Sequence, residues 1–279
     1  MKNPEKSGIM VKICSKHGRI CRAEGKMRKK SIRHKAVLCI RGDKMNEYAV
    51  GELKTLDETK IKNNIERLRL SGAVIPLTDG VIIGDNVTCK KGTLILPGTV
   101  LLGNTVLGEN CVVGVNSLLF DVTCGDNTHL NSTQAYSSVI GNGCDIGPFA
   151  HIRPDSRIAD NVHLGNFVEV KNSALGEKTC VSHLTYIGDS DVGENVNFGC
   201  GCVTVNFNGK VKNRCKVGDN SFIGCNTNLV APVTLGKNAY TAAGSTITDD
   251  VPESALAIAR ARQVNKENWR TRQNKSEDK

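Results

Sequence analysis

The stretch "IGNGCDIGPFAHIRPDSRIADNVHLGNFVEV" (residues 140–170) decides the fold. An aliphatic residue returns at every sixth position: Ile140, Ile146, Ile152, Ile158, Leu164 and Val170. Glycine or another turn-tolerant residue usually follows it, where the chain must bend sharply. The fifth residue of each unit is small or β-branched, as at Cys144, Ala150, Ser156, Val162 and Val168. Each unit reads as one short strand and one corner, and three units close a triangular coil of a parallel β-helix. The aliphatic residue points inward and stacks on its equivalents in the coils above and below.

Outward from this stretch the frame continues. It resumes at Leu175, Val181, Ile187, Val192 and Phe198, and after an interruption runs through Val217, Ile223, Leu229, Leu235, Thr241 and Ile247. A weaker version precedes it, with units beginning at Ile83 and Leu107 and small fifth residues at Val87 and Cys111. About nine coils fit between residues 81 and 250. Composition agrees, because aromatics are only 4%. Such a core is filled by Val, Ile, Leu and small residues.

The flanks read differently. Residues 1–49 are basic and aperiodic, a poorly ordered arm. Residues 1–50 carry 14 Lys and Arg against 4 acidic residues, whereas the remainder carries 23 against 24. The net charge of +9 therefore belongs to the arm and does not make the main body a nucleic-acid binder. Cys14, His17, Cys21 and Cys39 match no standard zinc spacing. Twelve cysteines in such a chain indicate a reducing compartment rather than a disulfide framework. No apolar run approaches the roughly 20 residues of a membrane helix. The N-terminus shows no secretory h-region, so a cytoplasmic protein is expected.

Residues 50–80 form a connector. Within it, "TLDETKIKNNIERLRL" (55–70) predicts a helix with a capping box from Thr55 to Glu58 and an apolar face of Ile61, Ile65 and Leu68. Gly72 can close it in a left-handed conformation. The solenoid is expected over 81–251. The segment "TVNFNGKVKNRCK" (204–216) breaks the frame and reads as an extruded loop of the kind that carries function. Residues 252–279 leave the repeat, and Pro252 suits the first turn of a helical tail.

Polar residues that interrupt an inert solenoid surface are the candidates for chemistry. In "CVSHLTYIGDS" (180–190) the glycine slot holds Ser182, and His183 and Tyr186 follow. A lone histidine is more often solvated than catalytic, but Glu169, Lys171, Tyr186 and Asn197 occupy nearby coils. Eighteen residues per coil put Arg153 and Lys171 at equivalent positions, a cationic pair suited to phosphate. A histidine beside them could take a proton from an amine near neutral pH. His151, His163 and His183 lack compact zinc-site spacing, so no metal site is expected. "GCGCVT" is not a C-x-x-C motif, and Cys202 takes a small corner slot.

Residues from about 50 to 270 resemble the acetyltransferase half of the bacterial bifunctional N-acetylglucosamine-1-phosphate uridylyltransferase and glucosamine-1-phosphate N-acetyltransferase. The resemblance is carried by "GPFAHIRPDS", "GNFVEVKNS", "SHLTYIGDSDVGENVNFG", "VNFNGKVKN", "LVAPVTLGKNAYTAAGSTIT" and "ALAIARARQ". It implies an all-β, left-handed parallel β-helix assembled as a homotrimer with active sites between subunits. It implies acetyl transfer from acetyl-CoA, a co-substrate, to the amine of glucosamine 1-phosphate, with no metal needed. His183 matches the general base, and Glu169 a residue that could orient it. Arg153, Lys171, Tyr186, Asn197 and Lys212 match the sugar-phosphate contacts. Asn206, Phe207, Cys200, Cys225, Ala243 and Arg260 match the acetyl-CoA contacts.

Three residues depart from the family pattern. Phe207 stands where tyrosine is usual, and Cys200 and Cys225 where alanine and serine are common. No glycine-rich nucleotide-binding loop precedes the connector, so acetyl transfer without uridylyl transfer is expected. Two alternatives stay open: another hexapeptide acyltransferase, or a non-catalytic scaffold paired with a separate uridylyltransferase.

Overall fold

The computed structural model describes residues 45–270. The basic arm up to residue 44, with Cys14, His17, Cys21 and Cys39, lies outside the described residues, as do residues 271–279.

The hexapeptide frame becomes a left-handed parallel β-helix. Every pairing between named strands is parallel, and in-register partners lie one coil apart, as for His151 with Glu169 and Ile152 with Val170. One face is a continuous ten-stranded ladder. The other two merge into a 17-stranded sheet, because the strands Leu118–Cys124 and Gln134–Ile140 run unbroken around the corner between them.

Each aliphatic residue that opens a unit is buried. Ile146, Ile152, Leu164, Val170, Val181 and Ile187 are all fully enclosed, in one continuous core. Burying a side chain of this kind contributes roughly 1.5–3 kcal/mol, so the column of equivalents is the main stabilising element. The small fifth residues have a second use. Cys144 Sγ donates to Ala159 O at 3.1 Å, Cys111 Sγ to Gly125 O at 3.0 Å, and Thr128 Oγ1 to Gly141 O at 2.8 Å, each across to the next coil. A buried polar group is tolerated when paired in this way. Cys202 behaves alike, donating to Gly224 O at 3.1 Å, and burial pushes its thiol up to about 11.

Glycine marks closest approach between coils. At Gly165 a Cβ would land on the carbonyl oxygen of Ser182 in the next coil.

Two helices precede the solenoid. Helix α1 (Met45–Leu53) begins inside the segment expected to be aperiodic. Its Glu52 carboxylate accepts from the Gly103 amide at 2.8 Å, which ties it to the first coils. Helix α2 (Glu58–Leu70) is the expected one, with Ile65 and Leu68 buried and Ile61 packed against the core. Its cap is Asp57 rather than Thr55: the Asp57 carboxylate accepts from Lys60 N at 2.8 Å. Thr55 instead ends α1, with its hydroxyl on Glu52 O at 2.7 Å. Gly72, at φ 100°, closes α2 with a Schellman pair, Ala73 N to Leu68 O and Gly72 N to Arg69 O, each 3.0 Å.

The C-terminal end leaves the repeat later than expected. Leu256 and Ala257 pair in parallel with Tyr240 and Thr241 and add a further rung. The ladder therefore counts ten rungs rather than nine. The open edge of a parallel sheet satisfies these backbone groups better than one isolated helical turn. Among the described residues after Pro252, helix appears only at Trp269 and Arg270. Among the described residues no helix is long and apolar enough to cross a membrane.

Candidate active site

His183 ends the strand Cys180–His183 on the ten-stranded face, exposed and paired in register with Asn166. Its carbonyl accepts from Gly201 N at 3.5 Å, the Cys200 carbonyl from Asn226 N at 2.8 Å, and the Cys225 carbonyl from Gly244 N at 2.8 Å. In a parallel ladder this pattern sets His183, Cys200, Cys225 and Ala243 in one column. Their separations in sequence are unequal, because the extruded loop lies between two of them. Cys200 is half-buried, and Cys225 and Ala243 are exposed. Arg260 reaches the foot of the column, with its Cδ 3.7 Å from where a Gly244 Cβ would stand. Asn197 opens the rung that leads to Cys200, in register with Cys180 and Phe222.

A second group forms around the corner at Leu184. Glu169 pairs with Tyr186, and Lys171 with Gly188. The expected stacking of Arg153 on Lys171 is present, since Ile152 pairs with Val170 one residue earlier. Lys212 reaches over from the loop. Its ammonium beside Lys171, then partial burial, then the Arg153 charge hold Lys171 below the ordinary lysine range, while Asp189 acts in the opposite direction. Three cations thus share one patch.

Glu169 meets Arg153 Nη1 at 2.8 Å. Within the chain it is brought to that guanidinium and not to His183, because the corner at Leu184 separates their faces.

The loop is narrower than the frame break suggested. Thr204 and Val205 still pair with Leu229 and Val230, and Cys215 with Ser190 and Val233, so the excursion covers residues 206–214. Phe207 and Lys212 bridge across it in antiparallel fashion. Phe207 is exposed, whereas Asn206 beneath it is only 8% exposed. Asn206 Nδ2 donates to Tyr186 Oη at 3.3 Å and to Asp189 Oδ2. The Tyr186 ring lies back over Gly188, where a Cβ would meet its hydroxyl.

Asp189 is the residue that sequence reasoning missed. It is 5% exposed, at φ 49°, and its Oδ1 accepts from Asn172 Nδ2 at 2.5 Å. A signal was present. The units that start at Val170 and Ile187 are each five residues long rather than six, and the tightened corners fall at Asn172 and Asp189.

Residues 137–172 and 214–249 match the model of the bacterial transferase hexapeptide (six repeats). Over 187 residues the chain is 58% identical to the bifunctional protein GlmU of Geobacillus sp. (strain WCH70), covering 67% of this chain and 41% of that protein. The GlmU of Clostridium kluyveri is 50% identical over 213 residues, covering 76% of this chain and 47% of that protein.

The chain is related to GlmU.

It spans less than half the length of these GlmU relatives. The solved Arabidopsis UDP-N-acetylglucosamine acyltransferase aligns with a TM-score of 0.38 at 17% identity, over 67% of this chain and 68% of that one. That likeness is too slight to add to the GlmU relationship.

Proposed function

We propose that the chain transfers an acetyl group from acetyl-CoA to the amine of glucosamine 1-phosphate, an acyl transfer of cell-envelope precursor synthesis. The observation that carries this reading is the pair of arrays flanking the Leu184 corner. One is the column His183, Cys200, Cys225 and Ala243 ending at Arg260; the other is the cluster Arg153, Lys171 and Lys212. The cluster suits a sugar phosphate, because cations paired to phosphate oxygens make short, strong hydrogen bonds. Tyr186 and Asn197 are the sugar contacts in this reading. Cys200, Asn206, Phe207, Cys225 and Ala243 line the groove for acetyl-CoA, and Arg260 meets its phosphates.

The base follows from the chemistry. An amine attacks a thioester only through its lone pair, so one proton must leave nitrogen as the N–C bond forms. His183 accepts that proton; the C–S bond breaks, and the proton passes on to the departing thiolate. A thiolate is a good leaving group, so no metal is required. Glu169 holds Arg153 in the phosphate cluster.

We place the site between subunits of a homotrimer. Phe149, Phe167 and Leu184 sit at one corner of three successive coils, each 58–59% exposed and each at positive φ. The two rings stack at 5.5 Å. A bulky apolar residue in that conformation is uncommon, and an apolar ladder beside His183 is a surface that a second chain can cover.

The test is an acceptor panel with acetyl-CoA, following CoA release. Glucosamine 1-phosphate is the expected acceptor, with glucosamine and glucosamine 6-phosphate much poorer. Equal rates with unphosphorylated glucosamine would remove the phosphate cluster from the reading.

A further inference from the structure

Below the extruded loop, Asp189 joins four segments of the candidate site. Its amide donates to Lys171 O at 2.9 Å, and its carbonyl accepts from Cys215 N, where the loop returns, at 3.1 Å. Its carboxylate takes Asn172 Nδ2 on one oxygen and Asn206 Nδ2 on the other. Both partners are amides rather than cations. A buried carboxylate needs compensation; here it comes from the two amides and, through space, from the Lys171 and Arg214 cations.

What a carboxylate does that an amide cannot is accept on both oxygens and never donate. It therefore admits one orientation of each neighbouring amide. At Asn206 the consequence is complete. One Nδ2 hydrogen goes to Asp189 and the other to Tyr186 Oη. Backbone bonds hold the same residue, Asn206 N to Thr204 O at 3.0 Å and Asn213 N to Asn206 O at 2.8 Å. Among the described residues no donor reaches Asn206 Oδ1, and that oxygen is not a buried, unpaired atom. It is the part of the side chain left for a ligand.

We propose that Asp189 is a positioning residue that fixes the Asn206 amide with its oxygen, not its nitrogen, toward the reacting groups. The inference rests on the acetyl-transfer reading and names a polarity within it. Asn206 is then an acceptor for an N–H, which suits the nucleophilic amine. An amine that gives an N–H to Asn206 keeps its lone pair turned to the acetyl carbon. A reversed Asn206 amide presents N–H instead, hydrogen-bonds that lone pair and blocks attack. The cost falls on the chemical step more than on binding.

The experiment compares wild type, Asp189→Asn and the exchange Asp189→Asn with Asn206→Asp. Asp189→Asn frees the Asn206 amide to reverse. The exchange restores an acceptor on the loop, with the amide introduced in place of the Asp189 carboxylate donating to it. Asp189→Asn is expected to lower kcat on the order of 10–100-fold, the range for one hydrogen bond to a charged group, with KM for acetyl-CoA little changed. The exchange is expected to recover at least part of that loss. Side-chain amide NMR gives a readout independent of turnover: both Asn206 Nδ2 hydrogens should exchange slowly in the wild type and rapidly in Asp189→Asn. Inactive wild type with protected amide hydrogens would remove the acetyl-transfer reading and keep the orientation. Active wild type with freely exchanging Asn206 hydrogens would overturn the orientation itself. A loss in Asp189→Asn that tracks a lower Tm, with no recovery in the exchange, would reduce Asp189 to a structural group.

Discussion

Cys200 and Cys225 stand side by side on adjacent coils, held in register by the bond from Asn226 N to Cys200 O at 2.8 Å. The Cys225 sulfur leans back over the earlier coil, 2.8 Å from where a Gly199 Cβ would be. Both thiols lie in the column below His183, and Cys225 is exposed. A small alkylator should therefore modify Cys225 first and slow acetyl transfer, since reactivity follows access. Saturating CoA should protect it. Peptide mapping that finds modification elsewhere only, with activity retained, would reject an open groove at these two residues.

Lys171 supplies a prediction with a sign. Lys212 beside it, then burial, depress its pKa. Between that depressed value and about 10.4, where a free lysine titrates, the unfolded chain binds more protons than the folded one. Stability contributed by this group therefore rises with pH across that window. Lys212→Ala removes the leading cause, so the Tm of the variant should gain less than that of the wild type as pH rises towards about 10.4. The same variant should raise KM for glucosamine 1-phosphate about 10-fold or more, through loss of a charge-assisted bond. Parallel melting curves and an unchanged KM would take Lys212 out of the cluster.

Gly165 tests the coil spacing. A Cβ there meets the backbone carbonyl of Ser182, which has no freedom to swing away. Gly165→Ala should cost about 1–3 kcal/mol, the usual range for overpacking. Denaturant unfolding measures it. A variant as stable as the wild type would mean that the coils separate more easily than the ladder implies.

The inward frame was legible because a period of six has one simple reading, and every aliphatic position from Ile140 to Ile247 that opened a unit is buried. The helix cap was misread because Thr55 and Asp57 both satisfy a capping pattern, and only the end of α1 decides between them. Helix α1 was missed since "MNEYAVGEL" has little apolar periodicity and is fastened through Glu52 to Gly103, far along the chain. The helical reading of the tail rests on Pro252. A strand edge waiting at Tyr240 and Thr241 overrode that local preference, as tertiary context often does. At the site, resemblance named residues one by one. Their arrangement as a column and a cluster depends on unequal coil lengths that no fixed period supplies. Asp189 contributes through another side chain rather than by an exposed group of its own.

The proposed chemistry turns on His183 as the base of an amine acetylation. The most direct measurement is single-turnover acetyl transfer to glucosamine 1-phosphate by wild type and His183→Ala, with assembly checked by light scattering. The exposed side chain carries none of the core, so the variant should assemble as the wild type does and lose about 10²–10⁴-fold in rate. Wild-type rates in a normally assembled variant would contradict the account.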